Sequence, residues 1–182
     1  MTIKNAVYYA AMLLQLDDTL TALENGELDE EALRLLRCGN LVVSEIASEY
    51  YPLKDKIKLS VDERGEITFD SFPVRPIEIF SAKDRNGIST PFTALADLIV
   101  LPSKGEYEFT YSYEPPLLQL EDDLPFPTKI TERIVAYGIA CEYCLISSMT
   151  DEAVTWDKRY KDALREAVFP KTEKRVKRRG WR

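Results

Sequence analysis

The chain has 182 residues, 45% of them apolar, and its 24 Lys and Arg against 31 Asp and Glu give a formal net charge of −7. That is enough for one ordinary core, with room for an insertion, and too little for two full independent domains. It contains no histidine, which excludes Ser-His-Asp and Cys-His nucleophiles, His-zinc proteases and imidazole general bases; its seven scattered glycines leave no P-loop and no GxGxxG turn.

Residues 4–23 have helical composition, rich in Ala, Leu and Met and free of Pro and Gly up to the Asn25-Gly26 turn, and are expected to form a first helix. The opening MTIKNAVYYAAMLLQLDD lacks a signal peptide's basic, apolar and small-residue layout. No apolar run approaches the roughly 20 residues that cross a bilayer, so synthesis in a cytoplasm without membrane insertion is expected. A second helix starts at Asp29, a capping residue, with Leu28 and Leu33 at the two positions of a hydrophobic staple and Glu30 and Glu31 in the first turn. Leu33, Leu36, Val43, Ile46 and Tyr50 keep one face apolar, Gly39-Asn40 marks a bend, and Tyr51-Pro52 ends the helix because a residue before proline leaves the α region.

After Pro52 the period changes to two. Ile57, Leu59 and Val61 alternate with Lys56, Lys58 and Ser60, and the turn at 62–65 predicts a hairpin to a strand with Ile67 and Phe69. Further strands are expected at 74–82, 88–94 and 96–101, and the clearest at 106–113, where Tyr107, Phe109, Tyr111 and Tyr113 alternate with polar residues. Five or six such strands make one small antiparallel sheet or barrel. Residues 114–127, with four prolines and the acids Glu121, Asp122 and Asp123, read as a connecting loop. Thr128 opens a third helix with a stripe of Ile130, Ile134, Tyr137, Cys141 and Leu145; Thr150 caps a fourth with Ala153, Trp156, Tyr160, Leu164 and Ala167 along one side, stopped by Phe169-Pro170. If each helix has one apolar stripe, the first pair packs on the last. The expected fold is therefore α+β: a four-helix bundle (1–53 and 128–170) with a small antiparallel β-domain inserted between helices two and three (54–127), and an extended basic C-terminal tail (171–182).

Candidate sites are few. Cys141-x-x-Cys144 is at metal-ligand or redox spacing, but with Cys38 as the one other cysteine and no histidine a four-ligand zinc site is not met, and the pair sits inside a predicted helix rather than at its N-terminus. All three read as buried, reduced side chains. Glu121-Asp122-Asp123 offers hard oxygen ligands and reads as a solvated acidic loop. The aromatic alternation at 107–113 could stack single-stranded nucleic acid, yet its neighbours Glu106 and Glu108 favour a core role. No cofactor and no metal is expected, and no catalytic residue is assigned.

The last twelve residues, KTEKRVKRRGWR, hold seven Lys or Arg against one acid, Glu173, while the preceding 170 hold 17 basic and 30 acidic residues. A solvated end, phosphate binding and docking onto an acidic partner are the three readings. Trp181 between Arg179 and Arg182 favours docking, because a large indole with flanking guanidiniums is interface-anchor chemistry.

The segments NLVVSEIASEYYPL (40–53), GEYEFTYSYEPP (105–116) and RIVAYGIACEYCLISSMTDEAVTWDKRYKDALREA (133–167) resemble the head-to-tail connector (adaptor or head-completion) proteins of tailed bacteriophages. The resemblance implies a helical bundle interrupted by a β-domain. It also implies a non-enzymatic virion protein at the head–tail junction, made in the host bacterial cytoplasm. Such proteins form a ring, commonly dodecameric, beneath the portal, with tail, tail-tube or nozzle proteins below and DNA passing through the channel without specific binding. The family's C-terminal segment often grips the portal, which assigns portal binding here to Lys171, Lys174, Arg175, Lys177, Arg178, Arg179, Trp181 and Arg182. Two alternatives are a cytoplasmic nucleic-acid-binding protein using the same basic tail and a metal-dependent hydrolase using Asp and Glu.

Overall fold

Thr2 opens the first helix, α1 (Ile3–Leu13), by accepting a hydrogen bond from the Asn5 N–H at 3.4 Å. The structure is a computed structural model that describes residues 1–169. The predicted single helix at 4–23 is broken: Gln15 takes a left-handed φ of 58° and a second helix, α2 (Asp17–Glu24), follows. The break has a packing reason, since it folds Leu16, Leu20 and Leu23 back onto the core that α1 already lines. The next helix, α3 (Glu30–Glu45), is capped as expected, Asp29 accepting from the Ala32 N–H at 2.6 Å and also from the Thr19 hydroxyl of α2 at 3.0 Å. It runs through Gly39 and Asn40 without a break and then widens into a π-turn (Ile46–Tyr50), closed by the Tyr51 N–H on the Ile46 carbonyl at 2.7 Å, just before Pro52.

Two more helices, α4 (Glu132–Ile146) and α5 (Thr150–Val168), form an antiparallel hairpin. Thr131, not Thr128, is the N-cap of α4, and Thr150 lies inside α5 with no side-chain cap. α4 is the hub of the helical layer, in contact with α1, α3 and α5 at once. Ile134, Val135, Ala136, Gly138, Ile139, Ala140, Cys141, Tyr143 and Cys144 are all buried on it, whereas Leu145, expected in its buried stripe, is exposed.

The four-helix bundle with one inserted β-domain is therefore overturned, though the class is α+β. Among the described residues there are five helices, three of which (α1, α3 and α5) pack on α4, which is apolar on nearly all sides rather than along one stripe, and the strands make two antiparallel sheets. One sheet has the order β1 (Leu53–Val61), β7 (Gly105–Tyr113), β3 (Pro76–Lys83), β4 (Ser89–Thr90). The other has the order β2 (Glu66–Thr68), β6 (Leu98–Val100), β5 (Thr93–Ala94). The hairpin expected across 62–65 does not form. β1 pairs with β7 in an unbroken register from Leu53↔Tyr113 to Val61↔Gly105, and β2 pairs with β6. Gly65, at a φ of 77°, turns the chain out of the first sheet, and its carbonyl accepts from the Leu101 N–H at 2.7 Å; a Cβ there would run into the Leu101 carbonyl. The strand expected at 88–94 is split by Pro91, β4 going to one sheet and β5 to the other.

A second apolar core lies on the strands, with Phe72 edge-to-face on both Phe109 and Tyr111 at ring distances of 5.6 and 5.0 Å. Tyr113, at the end of β7, packs against this core and the helical one. The segment 114–127 is more than a connection. Leu118, Leu120, Leu124 and Phe126 are buried in the helical core. Its backbone bonds to the start of the chain: the Ile3 N–H reaches the Asp122 carbonyl at 3.0 Å, the Lys4 N–H the Leu120 carbonyl at 3.1 Å, and the Leu124 N–H the Met1 carbonyl at 2.8 Å.

Candidate functional site

The eight portal-binding residues expected in 171–182 lie outside the described residues. Within them, the three segments that carry the resemblance converge on one junction between helices and sheet. β1 leaves the π-turn after α3 and pairs immediately with the end of β7, Leu53 opposite Tyr113. One residue further, Glu114 accepts from the Ser44 hydroxyl of α3 at 2.6 Å. On the other side of α3, Tyr160 of α5 donates to Glu45 at 3.2 Å, and Gly138 of α4 brings its backbone against Val42. Burial raises the Glu45 carboxyl above the usual carboxylate range, with the Tyr160 bond opposing that shift. Burial, with the Glu45 charge added, raises the Tyr160 hydroxyl.

Asn40 ties the next part of the junction. Its side chain accepts from the Leu118 N–H at 2.6 Å and donates to the Leu118 and Leu36 carbonyls at 3.1 and 3.2 Å, so 114–119 is held alongside α3. Between the two runs an apolar groove of ≈ 470 Å³. Leu36 and Leu118 form its floor, while Leu33, Leu41 and Leu117 stand on its rim at 39, 56 and 79% exposure. Arg37, also lining it, is exposed and makes no ion pair among the described residues. Contiguous apolar surface of this kind marks contact sites. The sequence reading placed Leu33 on the buried face and did not single out Leu41 or Leu117. The available signal was that α3 carries leucines at 33, 35, 36 and 41, more than one stripe can bury.

The remaining candidates resolve into structural roles. Cys38, Cys141 and Cys144 are buried and free of disulfides; burial pushes the Cys38 and Cys141 thiols up to about 11, and the Cys141 thiol donates to the Ala153 carbonyl at 3.6 Å. The three carboxylates of the acidic loop face separate partners: Glu121 pairs with Lys4 at 3.0 Å, Asp123 with the Met1 ammonium at 3.1 Å, and Asp122 accepts from the Gln119 N–H at 2.7 Å. Among the described residues no group of three or more His, Cys, Asp or Glu is placed to hold a metal ion. Tyr107, Phe109 and Tyr111 are buried in the second core and offer no stacking platform. A half-buried aromatic pair lies elsewhere: Tyr137 and Trp156 stack at 5.9 Å, with Arg133 donating to the Tyr137 hydroxyl at 2.7 Å and Arg159 over the indole at 4.9 Å. Among the described residues no helix is long and apolar enough to cross a membrane. No protein-family model and no curated protein matches the chain.

Proposed function

We propose that the chain is a structural head-to-tail connector of a tailed bacteriophage, a ring that joins the portal of the head to the tail and lets DNA pass. The observation that carries this reading is the convergence of 40–53, 105–116 and 133–167 on one junction through the Ser44–Glu114 and Glu45–Tyr160 bonds and the Leu53↔Tyr113 pair. The division of charge supports the same reading. A body of 17 basic and 30 acidic residues, repeated around a ring, makes a channel wall to which phosphates do not adhere, and the terminal strip of seven bases suits an acidic partner surface. Single weak tail contacts gain strength when many act from one ring. No catalytic step, cofactor or metal belongs to this role.

The test is deletion of 171–182. The connector reading expects the truncated protein to keep its circular dichroism spectrum and melting temperature while losing co-sedimentation with portal rings. Loss of a salt-sensitive DNA affinity instead, with no effect on portal attachment, would replace this reading with the nucleic-acid-binding one.

A further inference from the structure

We propose that the groove between α3 and 114–119 receives the α4–α5 tip of a second copy of this chain, joining copies head to tail. The inference deepens the ring part of the reading above and rests on it. The tip is a second exposed apolar feature of the helical layer: Leu145 and Ile146 at the end of α4 and Val154 in the first turns of α5 are 53, 56 and 66% exposed. It is convex, formed where the chain reverses through the left-handed Ser148, and the groove is concave. Two charged side chains line the groove, Glu114, which is engaged by the Ser44 hydroxyl, and Arg37, which is left to pair with an acid on the tip. Arg37 lies in the groove, while Asp151 and Glu152 begin α5 beside Val154; all three are exposed and none forms an ion pair among the described residues.

Complementary shape and complementary charge on two different parts of one chain define a heterologous contact, which propagates from copy to copy and closes into a ring when the rotation allows. A groove-to-groove contact about a two-fold axis fits worse. It would set two concave surfaces against each other and leave unfilled space between them. Apolar burial at the centre supplies the affinity, and the Arg37 to Asp151 and Glu152 pairing sets the orientation.

Two double variants of the full chain test this, a groove variant with Leu41→Glu and Leu117→Glu and a tip variant with Ile146→Glu and Val154→Glu. All four side chains are more than half exposed, so both variants are expected to retain the wild-type melting profile. In sedimentation velocity the wild type should form multi-subunit species, and each variant alone should be monomeric. An equimolar mixture should give a species of two subunits and nothing larger, because each variant keeps one working surface. Arg37→Glu should weaken assembly, and combining it with Asp151→Lys and Glu152→Lys should restore it. A monomeric wild type, variants that assemble like wild type, or a mixture that stays monomeric overturns the proposal. Variants that still assemble while deletion of 171–182 abolishes portal attachment would remove this contact and leave the connector reading standing.

Discussion

Tyr160 on α5 donates a hydrogen bond to Glu45 near the end of α3 at 3.2 Å, linking two helices through a carboxylate that burial has pushed toward its protonated form. Because the folded protein holds the Glu45 proton more tightly than the unfolded chain does, the native state binds more protons in the interval above the ordinary carboxylate value of about 4.3. Stability contributed by Glu45 therefore falls as pH rises through that interval and stays lower above it. Glu45→Gln keeps an acceptor for Tyr160 without the charge. Urea unfolding should show the variant gaining stability relative to wild type between about pH 4 and pH 7; a constant difference would refute the assignment. Tyr160→Phe removes the donor and should cost about 1–2 kcal/mol at neutral pH.

Gly138 is a site where a single methyl is too much. A Cβ placed there lies 2.7 Å from Val42 Cγ1 and 3.1 Å from Tyr160 Cε2. Alanine normally favours a helix over glycine by about 1 kcal/mol, but overpacking costs about 1–3 kcal/mol. Gly138→Ala should lower the midpoint of thermal unfolding, and adding Val42→Ala should recover part of the loss. Stabilisation by Gly138→Ala alone would mean that α3 and α4 are not in close contact.

Asn40 satisfies backbone groups on two elements at once. Asn40→Leu leaves the Leu118 N–H and carbonyl without partners and should cost about 1–3 kcal/mol. Hydrogen exchange offers the sharper readout: protection should fall selectively at Leu118 and its neighbours while β7 is unaffected.

The three cysteines should be nearly inert while the protein is folded. With the Cys38 and Cys141 thiols pushed up to about 11 by burial and Cys144 raised by the same cause, thiolate is scarce at pH 8 and access is closed. A disulfide reagent such as DTNB should react slowly with the native protein and rapidly with all three thiols in guanidinium. Fast titration of two native thiols would revive a redox role for Cys141 and Cys144.

The sequence was most legible where the physics is local. Asp29 as a cap and the Tyr107, Phe109 and Tyr111 alternation were both visible, since each needs only its own neighbours to define it. It was misleading where distant partners decide. The turn at 62–65 favours a hairpin, yet β1 finds the longer and better-matched β7. Assuming one apolar stripe per helix led to a four-helix bundle, because Val135 and Ile139 were not weighed as further buried faces of α4. Gln15 is no helix breaker by type, so only the pull of Leu16, Leu20 and Leu23 toward the core explains the bend. The groove escaped notice because Leu117 and α3 become neighbours through Asn40, a contact that joins residues 78 apart.

β7 supplies the backbone partners of both β1 and β3, and α4 supplies the packing surface of α1, α3 and α5. Both stand late in the chain. As it emerges from the ribosome, the nascent polypeptide presents β1, β3, α1 and α3 before the β7 and α4 they pack on have been translated. A stop codon before Gly105 would release a product lacking the middle of its larger sheet and the hub of its helices, so premature termination here yields a substrate for chaperones and proteases rather than a smaller working protein.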